Sequence, residues 1–197
     1  MEYYVPGEIY NNLQKFIQRI GCEIKGDILS EADLKKKLNS QQYVQIIGTR
    51  RGSGINVVIV YADVDSVFHN KTANIKKLIS EVVKVENSEI HIITHTMIKQ
   101  RIIEKLEMPL KSTLYNHLAK IFLVDPNDCV HVPNHEIADP GEVSDFCHKY
   151  YKRVDNFPKI LSTDPQAVWI GAKKGDVVKI TRASETALSA IVYRLCV

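Results

Sequence analysis

The sequence predicts an α/β (α+β) protein with two domains, in which helices and strands alternate. Apolar residues recur at helical spacing in the first segment, and two β-rich runs follow, separated by a glycine-containing loop. The turn-forming run Asp125-Pro126-Asn127-Asp128 then marks a boundary. The expected domains are residues 1–126 and 127–197, and each is long enough to bury a core.

The first domain is expected to open with two helices. The first helix has an apolar face formed by Ile9, Leu13, Phe16, Ile17 and Ile20. Gly21 suits the position after its end, because glycine tolerates the left-handed backbone conformation found there. Ser30, followed three residues later by Asp33, is a capping signal for a short charged helix that ends near Leu38.

The period then changes to that of a sheet. The runs 43–47 and 55–61 are predicted strands, and Arg50-Arg51-Gly52-Ser53-Gly54 forms a hairpin-like loop between them. The elements expected next are a helix over 73–84, a strand over 89–94, a helix over 98–106 ended by Pro109, a short helix over 113–117 and a strand over 119–124. This alternation favours a mixed sheet with helices packed on it.

The second domain is expected to be a smaller α/β unit. Asp139 is a predicted N-cap, with Pro140 at the first helical position and Glu142 at the third. Two short strands are expected at 176–182 and 190–195.

Two shorter signals precede these strands. Asp164-Pro165 indicates a turn or a helix start, and Lys173-Lys174-Gly175-Asp176 indicates a tight turn that leads into a buried strand. Trp169, the only tryptophan, is expected in the core.

Composition excludes several classes of protein. No run approaches the roughly 18 apolar residues of a membrane helix, and the N-terminus lacks the features of a signal peptide. The four cysteines form no CxxC pair, which indicates reduced thiols inside a cell. A net charge of +3 is too small for an independent nucleic-acid-binding protein, although it permits weak phosphate contacts within an assembly.

Zinc binding has to be considered because five possible ligands lie close together in the chain: Cys129, His131, His135, Cys147 and His148. Their spacing is not that of a zinc finger or ribbon. The adjacent Cys147 and His148 also point to different faces of the predicted helix. No metal site is therefore expected.

The C-terminal third carries a resemblance to a known family. The residues that carry it are Val132, Pro133, His135, Glu142, Tyr150, Pro158, Ile160, Asp164, Pro165, Gly171, Lys173, Gly175, Val177, Val178, Lys179, Ile180, Arg182, Ser184, Glu185, Thr186, Tyr193 and Arg194. In this order they resemble the C-terminal domain of subunit 5 shared by the eukaryotic nuclear RNA polymerases, and the small archaeal counterpart of that subunit. The resemblance implies an assembly domain that docks on the largest polymerase subunit.

The resemblance also supplies candidates for that interface. They are Pro133, His135, Pro158, Lys159, Asp164, Lys173, Lys174, Arg182, Glu185 and Arg194. Lys159 stands where the family has arginine, and it lacks the planar fork that binds a carboxylate through two hydrogen bonds. Leu188-Ser189 replaces the usual Gly-Arg. These departures lead to the hypothesis of a divergent member encoded by a large DNA virus.

The order of elements in the first domain resembles, more loosely, the jaw domain of the eukaryotic subunit. That domain is similar in fold to restriction endonucleases and lies beside downstream duplex DNA. Arg50 and Arg51 in the glycine-rich loop, and Lys99 and Arg101 at a helix start, are candidates for sequence-independent contacts with the DNA backbone. The simpler alternative is that they are solvated surface charges.

A nuclease activity has to be considered because of that fold. Such sites need an Asp, and then a Glu and a Lys two residues apart on the next strand. The only Glu-x-Lys run is Glu23-Ile24-Lys25, which lies before the first predicted strand and has no upstream Asp. Asp63 and Asp65 follow a strand, but no matching strand comes next, and His91 and His95 cannot replace it. No catalytic residue is predicted.

The expected function is therefore that of a non-catalytic structural subunit of a multisubunit DNA-directed RNA polymerase. Its partners would be the largest subunit, neighbouring small subunits and downstream DNA, with no cofactor, small-molecule ligand or membrane. The compartment would be the nucleus for a cellular protein, or the host cytoplasm, viral factory or virion for a viral one. The alternative is a free-standing DNA-binding protein with a nuclease fold and no activity.

Overall fold

The computed structural model describes residues 6–41, 43–62, 88–99, 101–104, 112–184 and 188–197. The chain divides into two compact units, Met1–Val124 (unit 1) and Asp125–Val197 (unit 2). The predicted helix over 73–84, and the residues Asp63, Asp65, Pro109 and Glu185, lie outside the described residues.

Two helices of unit 1 follow the sequence prediction. Helix α1 spans Pro6–Arg19 and buries the apolar face that its spacing predicted, and Gly21 follows with φ +81°. Helix α2 spans Glu31–Gln41. The backbone N–H of Asp33 donates to Ser30 Oγ over 3.2 Å, and the Ser30 hydroxyl donates to Asp33 Oδ2 over 2.7 Å. Both helix-end signals are confirmed.

Unit 1 contains a five-stranded mixed sheet. Its strands are β1 (Cys22–Lys25), β2 (Tyr43–Arg50), β3 (Asn56–Ala62), β4 (Glu89–Thr94) and β5 (Thr113–Leu118), which neighbour one another in chain order. Strands β1, β2 and β3 pair antiparallel, whereas β3, β4 and β5 pair parallel. Strand β3 is buried along nearly its whole length, as expected for a strand covered on both faces. The predicted mixed sheet is confirmed.

The interpretation of residues 113–124 was wrong. The predicted helix over 113–117 is strand β5, and the predicted strand over 119–124 begins with a 3₁₀ turn at Ala119–Phe122. Parallel pairing with β4 outweighs the weak helical spacing of so short a segment. Ala119 and Phe122 are both buried three residues apart, which is the repeat of a 3₁₀ turn.

Unit 2 is a four-stranded sheet between two helices. Its strands are β6 (Asn134–Ile137), β7 (Lys159–Ile160), β8 (Val177–Ser184) and β9 (Leu188–Cys196), in the order β6-β8-β9-β7. The two final strands were predicted from the sequence and are confirmed, whereas β6 and β7 were not predicted. They are too short for a periodic pattern to reveal them.

The helices of unit 2 lie on opposite faces of this sheet. Helix α3 (Pro140–Tyr150) begins as predicted, because the Asp139 carboxylate accepts from the N–H groups of Gly141 and Glu142. It packs through Val143 beside Tyr193. Helix α4 (Pro165–Trp169) is capped by Asp164, also as predicted. It contributes Ala167 to the core on the other face.

Gly48 in β2 gives a first test of the packing in unit 1. A Cβ at this position would lie 2.8 Å from Ile17 Cδ1 and 3.0 Å from the Glu23 carbonyl oxygen. Because a paired backbone carbonyl cannot turn aside, we expect Gly48→Ala to lower the free energy of unfolding by about 1–3 kcal/mol.

Urea unfolding measures this effect, and Gly7→Ala is the matched control. At Gly7, in the first turn of α1, the nearest atom to a new Cβ is Glu31 Cγ at 3.7 Å. That substitution should leave stability unchanged or raise it. Equal stabilities of the two variants would contradict the close approach of α1 and β2.

Candidate partner interface

A cleft of about 330 Å³ lies on the sheet face of unit 2 that also carries α4. Its floor is formed by Ile160, Ile180 and Val192. Ile180 is the register partner of Val192 on β9 and of His135 on β6, so these side chains share one face of the sheet. The floor is therefore fixed by strand pairing.

The other lining residues are Pro133 and five with charged or polar side chains: His135, Asp164, Gln166, Arg182 and Arg194. The Asp164 carboxylate is already engaged, since its Oδ1 accepts from the Gln166 backbone N–H over 2.9 Å. His135 Nδ1 lies 2.7 Å from the Pro133 carbonyl oxygen and donates to it. Arg182 and Arg194 are exposed. The rim of the cleft therefore carries two exposed arginines and one hydrogen-bonded carboxylate around an apolar floor.

The structure brings together five of the ten predicted interface residues. Pro133, His135, Asp164, Arg182 and Arg194 line the one cleft. Four others are exposed but lie outside its lining: Pro158, Lys159, Lys173 and Lys174. In the register of β8 and β9, Ala190 faces Arg182 and Val178 faces Arg194.

The tight turn predicted before β8 is confirmed. The Asp176 backbone N–H donates to the Lys173 carbonyl oxygen over 3.0 Å, and Gly175 has φ +96°. The Lys173 backbone N–H donates in turn to the Asp176 carboxylate over 2.7 Å. This turn fixes where β8 begins.

The opposite face of the sheet holds a polar cluster that the sequence analysis missed. Lys179 Nζ lies 2.9 Å from Glu142 Oε1 and 3.2 Å from Glu136 Oε1. The Tyr193 hydroxyl donates to the same Glu142 carboxylate over 2.7 Å. Glu142 was named from the sequence for its place in the first turn of α3 and among the residues of the family resemblance, but not as part of a cluster. The cluster depends on the register of Lys179 opposite Tyr193, which no local pattern reveals.

The ionisation of these groups follows from their contacts. Hydrogen bonds from Tyr193 and Lys179 lower the pKa of Glu142. Hydrogen bonds to Glu142 and Glu136 raise the pKa of Lys179. Burial, together with the hydrogen bond to the Glu142 carboxylate, raises the pKa of Tyr193 to about 12. At neutral pH the cluster is therefore an ion pair with a neutral phenol, and it ties α3 to the sheet.

Tyr193→Phe tests this tie between helix and sheet. The variant keeps the packing of the ring against Phe146 and Phe157 but removes the hydroxyl that donates to Glu142. We expect the free energy of unfolding to fall by about 1 kcal/mol. Urea unfolding measures it, and Tyr150→Phe, at a half-exposed ring on α3, is the control. A fall of the same size in the control would contradict a specific role for the Tyr193 hydroxyl.

The four candidate DNA-contacting residues of unit 1 have different surroundings. Arg50 forms an ion pair with the largely buried Glu89, and Arg51 Nε lies 3.1 Å from Glu23 Oε1 in an exposed pair. Lys99 and Arg101 are exposed where the chain turns into the helical residues 101–104. Arg50 is therefore engaged within unit 1, whereas the other three cations lie at its surface.

One sequence interpretation near these residues is corrected by the structure. Glu23-Ile24-Lys25 was assigned to the segment before the first strand, but it lies within β1, the edge strand that pairs with β2. Strand β1 has only four residues, which are too few to show the alternating pattern of a strand. Within the described ranges, no group of three or more His, Cys, Asp and Glu side chains could hold a metal ion. No helix of those ranges has both the length and the apolar character needed to cross a membrane.

Comparison with known proteins bears on the unit that contains the cleft. A family model described as the RNA polymerase Rpb5 C-terminal domain matches residues 124–196. The DNA-directed RNA polymerase subunit Rpo5 of Methanococcus vannielii is 46% identical over 66 residues, which are 34% of this chain and 85% of the relative. The chain belongs to the RNA polymerase Rpb5 family.

Two further members of the Rpb5 family show the same extent of similarity. The Rpo5 subunit of Methanosarcina mazei is 48% identical over 66 residues, 34% of this chain and 85% of the relative. That of Methanocaldococcus jannaschii is 43% identical over 70 residues, 36% of this chain and 90% of the relative. Every residue that lines the cleft lies inside the segment that the Rpb5 model matches, whereas residues 1–123 lie outside that segment.

Proposed function

We propose that this chain is a non-catalytic structural subunit of a multisubunit DNA-directed RNA polymerase, with the active site in other subunits. The observation that carries the proposal is the similarity of unit 2 to subunits named Rpo5, of which it spans nearly the whole length. Residues 124–196 would then act as the assembly domain, docking on the largest subunit. The exposed arginines around an apolar floor support docking, because desolvated arginine and apolar contacts stabilise interfaces.

Affinity purification of the tagged full-length chain from its native source tests this proposal. The expected result is co-purification with the two largest polymerase subunits and with smaller ones, identified by mass spectrometry. Recovery of the chain alone at low salt, as a stable monomer that binds duplex DNA, would overturn the proposal in favour of a free-standing DNA-binding protein.

We propose further that unit 1 flanks downstream duplex DNA as a jaw. Arg51, Lys99 and Arg101 are the exposed cations that would meet phosphates, and the contacts would be independent of sequence. Arg50 is left out of the test, because removing it would take away the ion pair that it forms with the largely buried carboxylate of Glu89.

The test is the salt dependence of open-complex lifetime in the reconstituted polymerase. We expect Lys99→Ala/Arg101→Ala to shorten the lifetime and to reduce the slope of its logarithm against the logarithm of salt concentration by about 1–2. Lys36→Ala/Lys37→Ala removes the same charge from exposed positions of α2 and should leave both quantities unchanged. Identical behaviour of both double variants would reject the DNA contact.

The cellular compartment follows from the source of the polymerase. The complex would lie in the nucleus of a eukaryotic cell, or in the host cytoplasm, viral factory or virion if a large DNA virus encodes the chain. Sequencing the locus tests the viral hypothesis. Neighbouring polymerase genes in a viral genome would support it, and a conventional nuclear locus would overturn it.

A further inference from the structure

Gln166 is a buried side chain whose amide has no hydrogen-bonding partner within the described part of the chain. The residue is 8% exposed and contributes to the wall of the cleft. Both Oε1 and Nε2 are buried without a partner. Buried amides of this kind are rare, because an unpaired polar group forfeits its hydrogen bonds to water. Because the residue lines the cleft, a molecule that fills the cleft is one candidate for that partner.

The amide of Gln166 has the chemistry to pair with a peptide backbone. It offers one acceptor and two donor hydrogens, which match the N–H and the C=O of a single peptide group. Both atoms are closed off from solvent in the free chain, so pairing with a bound segment requires the Gln166 side chain to turn toward the cleft, about side-chain torsions of which the terminal one is soft. A backbone in extended form keeps these groups available for such pairing, whereas a helix uses them internally.

The two rim arginines outnumber the one carboxylate of the cleft, Asp164, which already accepts the Gln166 backbone N–H, and they favour an acidic molecule. On β8 and β9 they lie on the same face as the pair Ile180 and Val192, one arginine toward each end of the floor. In register, Arg194 is four positions from Arg182, which places their Cα atoms about 13 Å apart along the strands. Among the described residues Arg182 forms no ion pair, and Arg194 makes only a 3.5 Å contact to the Lys159 carbonyl oxygen.

We infer that the cleft binds an extended acidic segment of the largest polymerase subunit, an inference that rests on the proposed function. Two carboxylates of the segment pair with Arg182 and Arg194, and Gln166 pairs with its backbone. An apolar side chain between the carboxylates rests on Ile180 and Val192. Because alternate residues of an extended chain face one side, the expected pattern is acidic–x–apolar–x–acidic.

Site-specific photo-crosslinking in the intact polymerase tests the occupant. A photoreactive phenylalanine analogue replaces Val192 in the cleft, or Tyr151, which is 97% exposed, as a control for random contact. Mass spectrometry should identify a peptide of the largest subunit with the acidic pattern, joined to position 192 only. A crosslink from position 192 to a segment without acidic residues would overturn the inference while leaving the proposed function intact. Absence of the largest subunit from the purified wild-type complex would instead overturn the proposed function.

Charge variants test the role of the arginines. Arg182→Gln/Arg194→Gln should weaken retention of the largest subunit about tenfold or more. The retention that remains should depend much less on salt concentration than that of the wild type. Lys149→Gln/Lys152→Gln removes the same charge from exposed positions near the end of α3 and should retain the subunit normally. Equal retention by the two double variants, both folded by circular dichroism, would reject the acidic segment.

Gln166→Leu separates a binding role from a structural one. If the Gln166 amide is paired only when a partner is bound, leucine should raise the melting temperature of the free chain or leave it unchanged. The reason is that leucine removes a buried polar group that has no hydrogen bond in the free chain. The same variant should weaken retention of the largest subunit by several-fold. A lower melting temperature together with normal retention would show that Gln166 serves the fold of unit 2, and would overturn its assignment to the segment.

Discussion

Trp169→Ala is expected to lower the free energy of unfolding of unit 2 by about 3–5 kcal/mol, the usual range for removing a buried tryptophan. The side chain is fully buried, and it is the last residue of α4. That helix lies beside the cleft, which Gln166 of the same helix lines. Because so short a helix has little stability of its own, its place depends on the buried ring.

Loss of the Trp169 ring should lower both the stability of unit 2 and its docking on the partner, because the same helix carries Gln166 in the cleft. Urea unfolding followed by far-ultraviolet circular dichroism measures stability in the variant, which has no other tryptophan to report fluorescence. Tyr151→Ala is the control, since that ring is 97% exposed and its removal should change the free energy of unfolding by no more than about 0.5 kcal/mol. A stability loss of less than about 1 kcal/mol in Trp169→Ala would contradict the packing of α4 against the sheet.

The sequence predicted most reliably the elements that carry a local signal. The capping residues Ser30, Asp139 and Asp164 each predicted the start of a helix, because their side chains accept hydrogen bonds from the first backbone N–H groups. Strand β3 is apolar along nearly its whole length and was equally clear. These features depend on residues within a few positions of one another.

The misassigned elements depend on distant parts of the chain. Strand β5 contains Tyr115 and His117, whose place is set by pairing with β4 more than twenty positions earlier. Strand β1 has four residues and owes its position to β2. In both cases tertiary pairing decides a conformation that local propensity leaves open.

The candidate interface was predicted in part for the same reason. The family resemblance pointed to Arg182 and Arg194, but not to the apolar floor between them, which needs the register of β8 and β9. Gln166 carried no signal in the sequence, since one glutamine in a short helix is ordinary. Its significance comes only from its burial without a partner.

The second large effect is a loss of stability in unit 1 as the pH falls from 6.5 to about 4. His117 Nε2 lies 3.0 Å from His91 Nδ1, and the rings of Phe16 and Phe122 pack edge-on against His117. Burial among these rings lowers the pKa of His117 from 6.5 to about 4. A hydrogen bond between two imidazoles also requires one ring nitrogen without a proton.

The direction of the effect follows from where the proton binds first. Below pH 6.5 the unfolded chain takes up a proton at His117 while the folded chain does not, so acidification favours unfolding. The stabilising contribution of neutral His117 is complete above pH 6.5, and no further loss from this group is expected below about pH 4. The fall in the pKa of His117 corresponds to a loss of about 2–3 kcal/mol in the free energy of unfolding. This range is on the low side because His117 is only partly buried and solvent screens part of the effect.

His117→Gln removes the titrating group while keeping an amide that can hydrogen-bond to His91. Urea unfolding at a series of pH values, with hydrogen exchange of the β4 and β5 amides as the probe local to unit 1, should show a flatter pH dependence in this variant. His148→Gln, at an exposed position on α3, should keep the slope of the wild type. An unchanged slope in His117→Gln would contradict this role of His117 and would assign the acid sensitivity of unit 1 to its other titratable groups.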